Sequence, residues 1–416
     1  MKRLLTFLLA AVPLASSAAE APRHLEGRLS SGATWVFDVP AAWNGKLLLF
    51  SHGYARGPDN PARNVAGAEK EALLAAGYAL AGSSYARTGW AVEDAIPDQL
   101  ATLDAFAAAV GKPARTYAWG SSMGGLVTIA LVERAPARFD GALAMCASAG
   151  STVGMMNAAL DGPWVLRTLA APDAPLPVLL TSSGEQMRKD LAAWRALLDA
   201  QQATPAGRAR IALAATLAQV PGWTPQPADD AARVRLLAEG FLPATMLPRE
   251  EQTQRAGGNA SWNTGIDYAV LLERSGQSDF VRRMYAAAGL DLGADLARLA
   301  SAPRVAADDR AVDYMRRFYA PTGKVAAPVL LLQAANDPVT LVEMTGDYAQ
   351  RVRARSGDGM VRAAYLGQTG HCNFTPDQTL GAIDALVRRS ESGQWHVALP
   401  RQVDYRPAPF LRHWPD

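Results

Sequence analysis

The chain has 416 residues, of which 49% are hydrophobic and 19% charged, and its formal net charge is +2. This length exceeds the size at which one hydrophobic core usually stops growing, so we expect a core domain that carries a substantial insertion. The composition is that of an ordinary globular protein. Together with the small net charge and the lack of a basic patch, it argues against a disordered or nucleic-acid-binding chain.

The N-terminal residues resemble a secretory signal peptide. Two basic residues precede an apolar run at 4–14, and Ser17 and Ala19 lie at the two small-residue positions before a cleavage site. The alternative is a membrane anchor, but the apolar run is shorter than the ~20 residues that a spanning helix needs. We therefore predict a signal peptide over 1–19, export to the periplasm or the extracellular space, and a mature chain without a stable membrane span.

Strand-like runs alternate with helical runs over residues 20–150, which we predict to be the first part of an α/β core. Strands are predicted at residues 35–39, 46–51, 78–85, 116–119 and 142–147, and helices at 69–76, 94–110 and 126–134. Alternation at this spacing is typical of a mostly parallel sheet with helices on both faces.

Residues 151–325 are rich in Ala, Leu and Arg at helical spacing, and we predict a mainly helical insertion there. The α/β pattern resumes over 326–395, and the C-terminal tail at 396–416 is predicted to be irregular. In this second part, strands are predicted at 329–333 and 361–366 and a helix at 380–388.

A G-x-S-x-G pattern lies between the predicted strand at 116–119 and the predicted helix at 126–134. It reads Gly120-Ser121-Ser122-Met123-Gly124. In this context the central serine occupies a sharp strand-to-helix turn, where crowding against the neighbouring backbone favours glycine two positions to either side. The alternative is a glycine-rich turn with no catalytic role, and it is the flanking strand and helix that favour a nucleophile. We therefore predict Ser122 as the nucleophile of a hydrolase.

Ser122 needs a base to accept its proton and an acid to orient that base. Of the five histidines, His371 lies directly after the last predicted core strand and is the predicted base. Asp337 follows the strand that resumes the α/β pattern and is the predicted acid, which gives the chain order serine, acid, histidine. Asp337 could instead cap the next helix, in which case Asp347 or Asp358 is the alternative acid.

The negative oxygen of a tetrahedral intermediate needs hydrogen-bond donors, usually backbone N–H groups. Met123 follows the nucleophile, and Tyr54 lies in the loop after the strand at 46–51, so we predict their amides as the two donors. His52 then supports this loop and does not react. The alternative is that His52 belongs to a simple strand-ending turn.

These residues resemble the α/β-hydrolase family over 27–150 and 326–389. The resemblance implies an eight-stranded, mostly parallel sheet flanked by helices, a cap inserted after the sixth strand, and a catalytic triad. The triad would consist of Ser122, Asp337 and His371. Several large side chains could line the substrate pocket or could simply pack in the protein core. They are Met155, Met156, Trp164, Trp223 and Trp262 in the cap, and Tyr85 and Trp90 in a loop after a central strand.

The position of Cys372 directly after His371 resembles the arrangement in tannase and feruloyl esterase sequences. In those sequences, a cysteine beside the histidine bonds to one beside the nucleophile. Here Ser121 precedes Ser122, so that motif itself is absent. Cys146 ends the strand after the nucleophile helix, and neighbouring strand ends could bring it to Cys372. The alternatives are a disulfide, which an oxidising compartment permits, and two buried free thiols.

We expect a carboxylic-ester hydrolase that works through an acyl-enzyme on a small-molecule or oligomeric substrate. No metal, cofactor or nucleic-acid partner is predicted. One alternative is a secreted serine peptidase of aminopeptidase or prolyl-peptidase type, in which Glu250 and Glu251 would bind the substrate amine. The other is an inactive hydrolase-like binding protein. The sequence does not determine the oligomeric state or the acyl and alcohol specificity.

Overall fold

A computed structural model of the chain describes residues 21–57, 59–222, 228–318 and 320–413. The predicted signal peptide over 1–19 and the candidate pocket residue Trp223 lie outside the described residues. Among the residues that are described, no helix is both long enough and apolar enough to span a membrane.

A nine-stranded sheet lies at the centre of the described part of the chain. Its strands are β1 (Arg23–Arg28), β2 (Thr34–Val39), β3 (Lys46–Ser51), β4 (Ala79–Ser83), β5 (Arg115–Ser121), β6 (Gly141–Met145), β7 (Val329–Asn336), β8 (Val361–Thr369) and β9 (Gln402–Val403). Their order is β1-β2-β4-β3-β5-β6-β7-β8-β9. The six strands β4, β3, β5, β6, β7 and β8 pair in parallel. Strands β1 and β2 extend one edge of the sheet and β9 extends the other, and these three pair antiparallel.

The structure corrects the predicted strand number and the predicted tail. The resemblance implied eight strands, but β9 adds a ninth at the edge beside β8. A two-residue strand is too short to show alternation in a sequence, so the pattern indicated only an irregular tail. The tail also packs against the protein, because Phe410 is buried in the sheet core and Leu411 in the core of the insertion.

The described residues form fourteen α-helices. They are α1 (Gly67–Ala75), α2 (Val92–Ala109), α3 (Met123–Arg134), α4 (Thr152–Ala170), α5 (Gly184–Gln202), α6 (Pro205–Leu217), α7 (Asp230–Thr245), α8 (Glu250–Ala256), α9 (Tyr268–Arg274), α10 (Ser278–Ala287), α11 (Leu292–Ser301), α12 (Asp309–Arg317), α13 (Val342–Ser356) and α14 (Pro376–Ser392). Apolar side chains of α1 and α14 cover one face of the sheet, and those of α2, α3 and α13 cover the other. Because both faces are covered, the central strands are apolar almost throughout.

Helices α4 to α12 form the insertion between β6 and β7, which we call the cap. Much of the cap packs around its own hydrophobic core, which includes Trp164, Trp194 and Phe241. The mostly parallel sheet, the flanking helices and the mainly helical cap after the sixth strand confirm the predicted α/β-hydrolase fold.

Candidate active site

Ser122 lies at the junction of β5 and α3, in a sharp turn. Its φ of 60° and ψ of −125° are a backbone conformation that residues other than glycine rarely adopt. A Cβ atom on Gly120 would lie 2.5 Å from the Ser51 carbonyl oxygen, and one on Gly124 would overlap the same oxygen. A side chain at either position would push the turn away from β3, which is the physical reason for the two glycines.

The Ser122 hydroxyl is hydrogen-bonded to His371, and His371 is hydrogen-bonded to Asp337. The distance from Ser122 Oγ to His371 Nε2 is 2.8 Å. His371 Nδ1 lies 3.0 and 2.9 Å from the two carboxylate oxygens of Asp337. A carboxylate that accepts the Nδ1 proton leaves the Nε2 lone pair facing the hydroxyl. The structure thus brings these three predicted residues into one continuous hydrogen-bonded chain.

The pairing of β7 with β8 explains why Asp337 and His371 meet. These strands are adjacent and parallel, and Asn336 pairs with Thr369 at their carboxyl ends. The Gly370 amide extends the pairing by donating to the Asn336 carbonyl at 3.1 Å. Asp337 is one residue beyond this pair and His371 two residues beyond it, so both side chains leave the same edge of the sheet.

Asp337 is fully buried, and polar groups surround its carboxylate. Oδ1 accepts from the amides of Val339 at 2.8 Å and Thr340 at 3.0 Å. Oδ2 lies 2.9 Å from the Thr340 hydroxyl and 3.3 Å from the Gln333 side-chain amide. A buried carboxylate requires such partners, and these hold its oxygens toward His371. The amide bonds stabilise the turn before α13, which begins only at Val342.

The two alternative acids have other partners. Asp347, on α13, binds Arg351 and His413, and Asp358 faces Arg353. Within the described ranges, neither carboxylate is hydrogen-bonded to His371. Asp337 is therefore the carboxylate that geometry supports as the partner of His371.

A disulfide joins Cys146 to Cys372, which confirms the first of the two alternatives for these cysteines. Cys146 follows the last residue of β6, and Cys372 follows His371. The bond therefore ties the His371 loop to β6, whose Met145 carbonyl accepts the Ser122 amide at 3.0 Å. Because both sulfurs are in the disulfide, the cysteines beside His371 offer no thiolate to a metal.

The loop that carries Tyr54 passes directly beside Ser122. A Cβ atom on Gly53 would lie 3.3 Å from Ser122 Cβ, and Tyr54 and Ser122 line the same cavity. Met123 is the first residue of α3, so its amide is one of the initial N–H groups that lack an acceptor within the helix. Both predicted donor residues thus lie next to the serine.

His52 packs beneath this loop. Its ring is buried and stacks on Tyr85 with a centroid distance of 4.0 Å. Nδ1 donates to the Gly53 carbonyl at 2.8 Å, and the Tyr85 hydroxyl donates to the His52 carbonyl at 3.1 Å. Burial lowers the pKa of His52 below its usual 6.5, so the ring is neutral at neutral pH. These contacts hold the loop that carries Tyr54.

An apolar cavity of about 340 Å³ opens at Ser122. The core contributes Tyr54, Trp90, Ser148 and Val339 to its walls. The cap contributes Met155, Met156, Leu242, Pro243, Met246, Leu247, Pro248 and Gln252. No charged side chain among the described residues lines the cavity. Its size and walls suit a small hydrophobic acyl group.

The candidate pocket residues divide into two groups. Met155, Met156 and Trp90 line the cavity. Trp164 instead stacks on Tyr268 within the cap core, with ring centroids 5.3 Å apart. The wall formed by 242–248 was not predicted from the sequence, because apolar residues around two prolines are typical of an ordinary helix end.

Glu251, considered above as a ligand for a substrate amine, has partners within the protein. One carboxylate oxygen accepts from the Trp90 amide at 2.8 Å and the other from Arg255 Nε at 2.7 Å. Arg255 in turn contacts Glu93 and Asp94 on α2. These bonds attach α8 of the cap to the core.

The fold and the comparisons with known proteins define an enzyme of the hydrolase class with the α/β-hydrolase fold. The chain is 32% identical over 412 residues to the o-phthalyl amidase of Xanthobacter agilis, and the match covers 91% of this chain and 89% of that protein. It therefore belongs to the same family as o-phthalyl amidase. No protein-family model matches the chain.

Solved structures with a similar architecture include several esterases. An esterase of Aspergillus oryzae is 14% identical with a TM-score of 0.43, and the match covers 88% of this chain and 78% of that one. Feruloyl esterase B of the same organism is 15% identical with a TM-score of 0.42, over 89% and 80% of the two chains. An esterase of Pyrococcus furiosus is 12% identical with a TM-score of 0.40, over 88% and 90%.

Proposed function

We propose that the protein is a serine hydrolase that cleaves carboxylic amides through an acyl-enzyme, with Ser122 as the nucleophile. One observation carries the proposal: the hydrogen-bonded chain from Asp337 through His371 to Ser122 ends at an apolar cavity. A serine placed in this way can lose its proton to the histidine as it attacks a carbonyl carbon.

In the first half of the reaction, Ser122 Oγ attacks the carbonyl carbon while His371 Nε2 takes the hydroxyl proton. The amides of Met123 and Tyr54 would donate hydrogen bonds to the negative carbonyl oxygen. As the tetrahedral intermediate collapses, the C–N bond breaks and His371 gives its proton to the leaving nitrogen. The amine departs, and the acyl group remains esterified to Ser122.

In the second half, His371 takes a proton from a water molecule, which attacks the acyl carbon. The ester bond to Ser122 then breaks, and His371 returns the proton to Oγ. Asp337 orients the ring in both halves and stabilises its charged form. The free acid leaves, and the serine is restored.

The choice of an amide bond is supported by the family. The relative is named for an amidase activity on an o-phthalyl group, and we propose an aromatic acyl group for this chain as well. A cavity of about 340 Å³ with aromatic and methionine walls suits one ring. An ester of the same acid has a better leaving group, so the ester hydrolysis expected from the sequence is proposed as a second activity of the same site.

We also propose that the chain is exported. The basic and apolar pattern at its N-terminus supports this location. The disulfide between Cys146 and Cys372 also supports it, since disulfides persist in oxidising compartments.

The decisive experiment is labelling of the purified protein with a fluorophosphonate. We expect the wild type to be labelled and Ser122→Ala to be unlabelled. Ser121→Ala is the matched control, because it removes the adjacent hydroxyl at the end of β5 and should leave labelling intact. Labelling that persists in Ser122→Ala contradicts the assignment of the nucleophile, and a wild type without labelling supports an inactive binding protein.

A second experiment identifies the bond that is cleaved. Turnover of benzoyl and phthalyl 4-nitroanilides is compared with that of the matching 4-nitrophenyl esters and of aminoacyl and prolyl nitroanilides. We expect both the aromatic anilides and the aromatic esters to be hydrolysed. Preference for a substrate with a free α-amine supports the peptidase alternative, and turnover of the esters alone supports the carboxylesterase predicted from the sequence.

A further inference from the structure

A second cavity, of about 370 Å³, lies where the cap, α13 and the C-terminal tail meet. Among the described residues, its walls and those of the cavity at Ser122 have no residue in common. The cap contributes polar side chains that include Thr216 and Gln277, α13 contributes Glu343, and the tail contributes Arg406. Unlike the apolar cavity at Ser122, this one therefore presents both a negative and a positive group.

Glu343 is a buried acid on the wall of this cavity. It is 5% exposed and lies in the first turn of α13. Its Oε2 atom is buried without a hydrogen-bond partner, and its carboxylate forms no ion pair within the described part of the chain. Thr216 Oγ1, on the cap side of the cavity, is likewise buried without a partner among the residues described. Buried polar groups are normally satisfied, so these two atoms need a partner that the chain itself does not supply.

Arg406 presents an unpaired cation to the same cavity. Its side chain is exposed on the tail and makes no hydrogen bond or ion pair with the described residues. Glu343 is therefore not neutralised by Arg406, although both line one cavity. A simple cation that approached Glu343 would be repelled by Arg406, and a simple anion would be repelled by Glu343. A molecule that carries one charge of each sign complements both groups.

We propose that this cavity binds a small zwitterion, an amino acid whose ammonium group contacts Glu343 and whose carboxylate contacts Arg406. An ammonium group has three N–H donors, and the Glu343 carboxylate and the Thr216 hydroxyl can accept two of them. The planar guanidinium of Arg406 matches the two oxygens of a carboxylate. A volume of about 370 Å³ accommodates a chain of a few carbon atoms between the two groups. This second site does not depend on the proposed function.

The test is isothermal titration calorimetry of the full chain at pH 8.5 with linear amino acids from glycine to ε-aminocaproate. The linear amine and the linear carboxylate of matching length carry one charge each and serve as comparison compounds. We expect a Kd on the order of 1 mM for the best amino acid and binding at least about tenfold weaker for each comparison compound, as loss of one charge-assisted contact predicts. Equal binding of the amine or the carboxylate, or no binding of any amino acid, would overturn the proposal.

Glu343→Gln and Arg406→Met locate the site. Each variant removes one charged contact, so each should weaken binding of the amino acid at least about tenfold. Arg362→Met is the matched control, because Arg362 is an exposed arginine that lines a neighbouring groove and not this cavity. It should bind the amino acid as the wild type does. Unchanged affinity in Glu343→Gln or in Arg406→Met would place the ligand elsewhere and overturn the proposal.

A measurement on the wild type does not depend on the folding of any variant. Binding of an ammonium group requires the ionised Glu343 carboxylate, and burial raises its pKa to about 7. The groups that face it keep one charge state between pH 6 and pH 8.5. Burial raises the pKa of Tyr365 on β8 to about 12 and also raises that of Tyr405 in the tail, and the guanidinium of Arg406 stays positive.

The cap residues described on the cavity wall have no titratable side chain. Affinity for the amino acid should therefore be about tenfold higher at pH 8.5 than at pH 6, because the carboxylate loses its proton as the pH rises through 7. The Glu343→Gln variant should show no such rise. An affinity of the wild type that is the same at both pH values would contradict the contact with Glu343 and overturn the proposal.

Discussion

The Cys146–Cys372 disulfide attaches the residue after His371 to the end of β6, the strand whose Met145 carbonyl accepts the Ser122 amide. The two cysteines are separated by 226 residues in sequence, with the whole cap between them. The His371 loop is thus attached by a covalent bond, as well as by the sheet, to the strand that lies beside Ser122. We expect this attachment to help hold His371 Nε2 toward the Ser122 hydroxyl.

We expect the double variant Cys146→Ser/Cys372→Ser to lose both stability and activity. Loss of a disulfide that closes a long loop typically costs about 2–5 kcal/mol. A looser His371 loop should lower kcat on the order of tenfold, because small misplacements of a base are costly. Urea unfolding and initial rates measure the two effects. Full activity in the double variant would contradict the positioning role of the disulfide.

Asp337→Asn should lower kcat by about 10⁴-fold with little effect on KM, because an amide no longer holds His371 in the tautomer that accepts the serine proton. The matched control is Asp347→Asn, which removes the alternative acid on α13. Its binding partners are Arg351 and His413, so kcat should stay close to that of the wild type. The reverse result would identify Asp347 as the acid. Initial rates on an aromatic nitroanilide decide between them.

Glu343 should make folding stability depend on pH. Its side chain is buried in the first turn of α13, Oε2 has no partner among the described residues, and burial raises its pKa from 4.5 to about 7. The folded state therefore binds a proton more tightly than the unfolded state. The resulting stabilisation is fully present below pH 4.5 and is lost as the pH rises through 7.

We expect Glu343→Gln to remove this dependence. The free energy of unfolding at pH 8 should rise by as much as about 3 kcal/mol relative to the wild type, with little difference at pH 4.5. Urea unfolding at the two pH values measures the change, and the low-pH value serves as the internal control. A variant that is destabilised equally at both pH values would show that the carboxylate makes a contact that glutamine cannot replace.

Gly124→Ala should destabilise the nucleophile turn by about 3 kcal/mol, since the added methyl group overlaps the Ser51 carbonyl oxygen. Gly359→Ala is the matched control, because its Cβ would make only an ordinary contact of 3.5 Å with Arg389 Nη2. Thermal unfolding and fluorophosphonate labelling measure fold and site together. A Gly124→Ala protein with wild-type stability would show that β3 can move away from the turn.

The elements that carry strong local patterns could be predicted. Apolar runs located all six parallel strands of the sheet, and the predicted helix at 126–134 corresponds to α3, which begins at Met123. The helix begins three residues earlier than predicted, because Gly124 and Gly125 weaken the helical pattern at its start. These two glycines are required because a Cβ atom on them would collide with Ser51 and Ala147. β9 has too few residues for any period to show.

The contacts of the candidate site depend on distances that no local pattern contains. Asp337 is the acid predicted from the sequence, with Asp347 and Asp358 as alternatives, and the pairing of Asn336 with Thr369 brings Asp337 to His371. Likewise, the two cysteines could have been free thiols. The adjacent ends of the strands decide both cases.

By itself, the sequence determined the six parallel strands, the helix that follows Ser122 and the turn at Ser122, because backbone sterics and hydrophobic periodicity act over a few residues. Only the tertiary structure decided which carboxylate meets His371, that Cys146 reaches Cys372, and that 242–248 forms a wall at Ser122. The first two contacts arise where the ends of adjacent parallel strands meet, and the third arises from packing of the cap on the sheet. Both join residues that are far apart in sequence.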